Sequence, residues 1–205
     1  MGLLDRLRGR PDMTGDRWLV VGLGNPPGEY GGTRHNIGQD VVRDLGERLG
    51  GSFTAHKVKA QVSDTYDRPG GTPMTLALPH GYMNNSGGPV QALLAFYKLD
   101  HDRLVVAHDE LDLDVGRLRL KRGGGTAGHK GLKDIATRTG GQDFYRVRMG
   151  IGRPPGRQPG RDYVLKPFPA AEREEMALAS ARAGDAILDL VAEGLEAAQN
   201  RHHST

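Results

Sequence analysis

Trp18-Leu-Val-Val-Gly22 is a short apolar run closed by a glycine, and after a turn-rich stretch Asn36 to Leu49 places Ile37, Val41, Leu45 and Leu49 at four-residue steps. The first reads as a buried strand. The second reads as an amphipathic helix with Asn36 as its cap. The rest of the chain continues this alternation. Lys57 to Tyr66 and Thr72 to Leu78 resemble two strands separated by Asp67-Arg-Pro-Gly-Gly71, a strong turn signal. A helix follows from about Ser86 to Tyr97, with Val90, Leu93, Leu94 and Tyr97 on one face, and Arg103 to Ala107 is an apolar strand that delivers His108-Asp109-Glu110. Gly116 to Lys121 alternates Leu118 and Leu120 with Arg117, Arg119 and Lys121, so a strand there has one basic face. Leu132 to Arg138 reads as a short helix, Phe144 to Ile151 as a strand with Arg146 and Arg148 on one face, and about Ala170 to Ala198 as a long terminal helix. Interleaved strands and helices predict an α/β fold: a single domain with a twisted, mixed β-sheet flanked by helices.

The 205 residues are enough for one domain with a substantial core. Residues 1–16 read as a flexible N-terminal extension, 17–199 as the folded domain and 200–205 as a disordered tail. The chain has no cysteine, which excludes a disulfide framework, a thiolate nucleophile and a zinc–thiolate site. That composition fits a cytoplasmic protein. No apolar run approaches the roughly 20 residues that span a bilayer, and Met1 to Gly15 lacks the apolar centre of a secretory signal.

The formal net charge of +3 is unevenly spread: Arg117 to Lys166 holds thirteen Lys or Arg against three acids, a local +10 that leaves −7 for the remainder. Such clustering fits a polyanionic partner, and it fits an ordinary solvated basic face as well.

Several segments carry groups capable of chemistry. Val21-Gly-Leu-Gly-Asn25-Pro-Pro-Gly28 is a glycine-rich turn after the first strand. Its spacing does not match a dinucleotide fingerprint, and Pro26 and Pro27 remove amides a phosphate would need. It reads better as a rigid turn presenting the Asn25 amide. Thr33-Arg-His35-Asn36 puts an imidazole just ahead of a helix, where it serves as a general base or as a mere surface or capping side chain. His108-Asp109-Glu110-Leu-Asp112 closes a strand with three acids and a histidine. It suits an oxygen-ligated metal, a carboxylate that orients a distant imidazole, or an exposed acidic turn, and spacing does not separate the three. Gly123-Gly-Gly-Thr-Ala-Gly128-His129-Lys130-Gly131 is a flexible loop whose amides approach an anion closely, without P-loop spacing. In Tyr82-Met83-Asn84-Asn85-Ser86-Gly87, one of Asn85 and Ser86 is expected to cap the following helix. Gly152 to Asp162, with three prolines, reads as a polar loop able to act as a mobile flap.

Taken in order, Gly22-Leu-Gly-Asn25-Pro, Tyr30, Thr33-Arg-His35-Asn36, Met83-Asn84 with Ser86-Gly87, His108-Asp109-Glu-Leu-Asp112, Gly123 to Leu132 and Arg146-Val-Arg148-Met-Gly-Ile-Gly-Arg-Pro154 resemble the bacterial peptidyl-tRNA hydrolase family over nearly the whole chain from Trp18 onward. The resemblance implies a monomeric enzyme without metal or organic cofactor and without an obligate protein partner, which hydrolyses the ester joining a peptide to its tRNA. It implies His35 as the base, Asp109 as the carboxylate that orients it, and Asn25 and Asn84 as the groups that position the peptide and the scissile carbonyl. Tyr30 and Met83 line the cleft on this reading, and Arg119, Lys121 and Arg148, joined by Arg117, hold tRNA phosphates. One position departs from the pattern. The family's Gly-His-Asn-Gly has Lys130 in place of its asparagine, and a lysine only donates where an amide also accepts. Lys130 is therefore expected to contact the tRNA end or the oxyanion. Two other readings remain at this point: a non-catalytic RNA-binding relative of the same fold, and a metal-dependent hydrolase built on His108, Asp109, Glu110 and Asp112.

Overall fold

A computed structural model describes residues 16–203. Seven strands form one sheet: β1 (Trp18–Gly22), β2 (Thr54–His56), β3 (Ala60–Tyr66), β4 (Pro73–Pro79), β5 (Leu104–Glu110), β6 (Leu118–Arg122) and β7 (Tyr145–Gly150). The helices are α1 (Pro27–Tyr30), α2 (Ile37–Arg48), α3 (Gly87–Tyr97), α4 (Lys130–Thr139), α5 (Gly160–Val164), α6 (Ala170–Glu193) and α7 (Leu195–His202). The strand order is β2-β3-β4-β1-β5-β7-β6. The central β4, β1, β5 and β7 run parallel, whereas β2, β3 and β6 pair antiparallel with their neighbours. This is the mixed, helix-flanked sheet that the alternation of apolar runs predicts.

The four parallel strands are buried on both faces and read as continuous apolar runs. One face (Val20, Val105, Ala107, Val147 and Met149) packs under α2 and α6. The other (Leu19, Val21, Leu104 and Val106) packs with Leu93 of α3 and Leu132 and Ile135 of α4. From β1 the chain moves to β4 on one side and then to β5 on the other, so the crevice beyond the carboxyl ends of β1 and β5 is a topological switch point. Two glycines let α2 close onto that crevice. A Cβ at Gly22 would collide with the Gly38 carbonyl, and one at Gly38 would collide with the Ala107 carbonyl. The start of α2, with His35 just ahead of it, therefore rests directly on β1 and β5.

Several local expectations need correction. Asn36 does not cap α2; its side chain instead accepts from the Asn25 amide at 2.9 Å and donates to the Asn25 carbonyl at 3.0 Å. Neither Asn85 nor Ser86 caps α3, where Ser86 Oγ donates to the Met83 carbonyl and Asp134 of α4 takes the Gly87 N–H at 2.7 Å. The terminal helix is broken at Gly194, whose φ of +89° suits glycine and turns α7 back toward β6. The tail consequently does not fray at residue 200: α7 runs through His202, and His203 accepts the Leu120 N–H at 2.8 Å through Nε2. The segment 152–162 ends inside α5 rather than remaining loop throughout. The N-terminal extension, apart from Asp16, and residues 204–205 lie outside the described residues, and no helix among those described is long and apolar enough to cross a membrane.

Candidate active site

A cleft of about 510 Å³ opens at the carboxyl ends of β1 and β5. Asn25, Tyr30, His35, Met83, Asn84, Asp109 and Lys130, which come from six segments of the sequence, all line it. The structure thus gathers every residue expected at the catalytic centre or the peptide side.

Its core is one carboxylate shared by two imidazoles. His35 Nδ1 lies 2.8 Å from Asp109 Oδ1, and His129 Nε2 lies 2.9 Å from the same oxygen. Burial pushes the Asp109 carboxyl up, but the charges and hydrogen bonds of His129 and His35 more than offset this and hold it well below the usual carboxylate range. An ionised carboxylate only accepts, so each imidazole nitrogen facing it carries a proton. The Nε2 lone pair of His35 is then free to act as a base.

The turn carrying His35 is clamped in place. Arg34, buried beside it, donates to the Pro167 carbonyl at 2.7 Å and to Glu172 at 2.9 Å, and stacks over the rings of Tyr163 and Phe168. The Arg34 N–H also bonds the Lys166 carbonyl at 3.0 Å. Opposite, Asn25 Oδ1 accepts the Met83 N–H at 2.9 Å. This fixes the amide so that its NH2 remains as a donor toward the cleft. Tyr30 and Tyr82 meet edge to face at 6.4 Å on the rim.

The four-residue metal reading of 108–112 does not survive the geometry. Buried His108 donates Nδ1–H to the Asp109 carbonyl at 2.7 Å, and burial followed by the nearby His129 pushes it down to about 3. Glu110 pairs with Arg148 at 3.1 Å, and Asp112 pairs with Arg153 at 2.6 Å. These side chains face different partners and share no ligand position.

A family model described as Peptidyl-tRNA hydrolase matches residues 19–205. The chain is 52% identical over 187 residues to the peptidyl-tRNA hydrolase of Leifsonia xyli, covering 91% of this chain and 97% of that one. To that of Kineococcus radiotolerans it is 50% identical over 194 residues, covering 92% and 98%. The crystal structure of peptidyl-tRNA hydrolase from Acinetobacter baumannii matches with a TM-score of 0.84 at 35% identity, over 95% of this chain and 98% of that one.

The chain belongs to the peptidyl-tRNA hydrolase family.

Beside this peptidyl-tRNA hydrolase cleft runs a row of cations. Register pairs Arg119 with Arg148 and Lys121 with Arg146, so all four side chains leave one face of β6 and β7, the face that also carries His108 and Glu110. Burial, then the charges of Arg148 and Arg146, push the Lys121 ammonium below the ordinary lysine value. Arg117 is not brought into this row. It lies exposed in the turn before β6, lining a separate cavity with Glu175, Arg182 and His202.

Two participants are missing from the sequence reading. His129 lies in a quoted motif, but nothing in Gly128-His129-Lys130 reveals that its ring reaches Asp109. Arg146 reads as one of two basic residues on a face, yet it is buried and holds the Gly125 carbonyl at 2.6 Å and the Gly124 carbonyl beside it. A buried arginine and an exposed one look alike in sequence.

Proposed function

We propose that this chain hydrolyses the ester between the peptide carboxyl and the terminal ribose of peptidyl-tRNA, with His35 as general base. The observation that carries the reading is the His35–Asp109 pair at the floor of a cleft flanked by Asn25 and Asn84. His35 Nε2 takes a proton from a bound water as the water oxygen attacks the ester carbonyl. The Asn25 NH2 and the exposed Asn84 amide supply donors toward the carbonyl oxygen as it gains charge. The tetrahedral intermediate then collapses, the ribose oxygen leaves, and the imidazolium returns the proton to it. Asp109 keeps the productive tautomer and stabilises the imidazolium without accepting its proton. The ester is already activated, so positioning and a base contribute most of what is needed.

Arg119, Lys121 and Arg148 are read as the phosphate contacts, and Arg117, which lines a separate cavity, is left out of that set. Tyr30 and Met83 line the peptide side. Lys130, exposed at the first turn of α4 on the rim of the cleft, is read as a contact to the tRNA end. Work in the cytoplasm as a monomer, with tRNA as the macromolecular partner and no cofactor, belongs to the same reading.

The test is release of the acyl group from N-acetyl-aminoacyl-tRNA or diacetyl-lysyl-tRNA with and without EDTA. Cleavage that persists in chelator supports the reading. Tight tRNA binding without cleavage contradicts it and favours a non-catalytic RNA-binding protein. Lys130→Asn is expected to weaken tRNA binding, and unchanged affinity and activity would remove Lys130 from the site.

A further inference from the structure

His129 is held through its backbone and its ring. The backbone N–H bonds the Thr126 carbonyl at 2.8 Å; on the ring, Nδ1 accepts the Leu132 N–H at 3.3 Å, Nε2 meets Asp109, and the faces and edges pack against His35 and His108 at centroid distances of 5.0 and 5.1 Å. The loop leading to it stores strain for this placement. Ala127 has φ +48°, in the left-handed region that alanine rarely adopts, and Arg146 pins the preceding Gly124 and Gly125 carbonyls. Because Nδ1 is occupied as an acceptor, the proton of a neutral His129 sits on Nε2 and points at Asp109 Oδ1.

We infer that His129 is a positioning residue for the hydrolysis: by donating to the same carboxylate oxygen that holds His35, it fixes Asp109 and disperses its charge, so that Asp109 orients His35 without binding the proton too firmly. The inference rests on the hydrolase reading and adds a second imidazole to it. With one donor removed, the full charge of Asp109 would act on His35 alone. The protonated form of His35 would gain, and the base would be lost at a higher pH.

Other charged or titratable groups bordering this trio are accounted for. His108 stays neutral over the working range, and Glu110 and Asp112 are paired with Arg148 and Arg153. Lys130 and Arg161 line the cleft from α4 and α5, together with the phenols of Tyr30 and Tyr82. None of these bonds Asp109 Oδ1.

The experiment compares pH profiles of kcat/KM for wild type, His129→Phe and His129→Gln with diacetyl-lysyl-tRNA. His129→Phe, which keeps a ring and lacks the donor, is expected to move the acid limb up by roughly half to one pH unit. His129→Gln, which restores an N–H donor, is expected to leave the limb within a few tenths of a unit of wild type. A uniform fall in rate with an unmoved limb would overturn the inference and leave His129 a packing residue. Should His129→Phe fail to fold, nitrogen chemical shifts of the wild-type imidazoles decide: a neutral His129 protonated on Nε2 is expected, and a proton on Nδ1 overturns the inference. Wild-type cleavage in the same assay reports separately on the hydrolase reading.

Discussion

His35 Nδ1 and Asp109 Oδ1 stand 2.8 Å apart across 74 positions of sequence. The contact exists because β5 runs parallel to β1 and ends at the level of the turn after β1, where α2 begins. Glycines at 22 and 38 allow the helix to descend far enough for the imidazole to reach the carboxylate. The His35–Asp109 pair is thus a product of strand order and of two missing side chains.

Asp109→Asn tests the tautomer argument. An amide in place of the carboxylate can present its NH2 to His35 Nδ1, which would then become the acceptor and place the proton on Nε2. We expect kcat to fall roughly 10²- to 10⁴-fold with tRNA affinity nearly unchanged, measured by single-turnover cleavage and filter binding. Near-normal kcat would show that Asp109 does not set the tautomer.

Arg34→Met removes the clamp while keeping the length of the side chain. Glu172 and the Pro167 carbonyl lose their partner, and we expect unfolding free energy to fall by about 2 kcal/mol in urea melts. The turn bearing His35 should loosen as well, lowering kcat about tenfold with little change in KM. A variant as active as wild type would show that the His35 turn holds itself.

Neutralising the basic row should act on binding. For Lys121→Gln, the slope of log affinity against log salt is expected to flatten by about one unit, with kcat preserved. Arg148→Gln should cost more than one phosphate contact, because Glu110, buried at the cleft floor, would be left without its ion pair. Identical losses from the two variants would argue against that coupling.

Asp40, on α2 one turn beyond Ile37, gives a stability prediction. Burial, then the neighbouring charge of Asp44, pushes its carboxyl up to about 6 from a usual 3.8. The unfolded chain releases this proton first, so the group favours the fold below the lower value, and that contribution is lost as pH rises through about 6. Asp40→Asn should therefore match wild type near pH 4 and exceed it above pH 6 by about 1–2 kcal/mol, read from denaturant melts at both pH values. A variant no more stable at pH 7 would mean that the ionised carboxylate is well solvated.

Much of this was legible in the sequence. Continuous apolar runs such as Leu104-Val-Val-Ala107 identify the buried parallel strands, because burial on both faces leaves no alternation to hide them. His35, Asp109, Asn25 and Asn84 are marked by motif order. Contacts that depend on side chains crossing between elements were not legible. Asn36 reads as a cap but bonds the Asn25 backbone, and Asp134 replaces the expected cap of α3 from another helix. Arg117 follows the alternation of β6 in sequence, yet it lies just ahead of that strand and lines a separate cavity with Glu175 and Arg182 of α6. His129 and Arg146 depend on how the glycine loop folds back over β5 and β7, and local propensity carries no information about that path.

The most direct measurement is cleavage of diacetyl-lysyl-tRNA by wild type and by His35→Ala, in the presence of EDTA. Chelator-resistant cleavage that falls at least 100-fold in the variant, with tRNA affinity retained, is the result predicted for a general base at His35. Near-wild-type kcat in His35→Ala would contradict it and move the base elsewhere in the cleft.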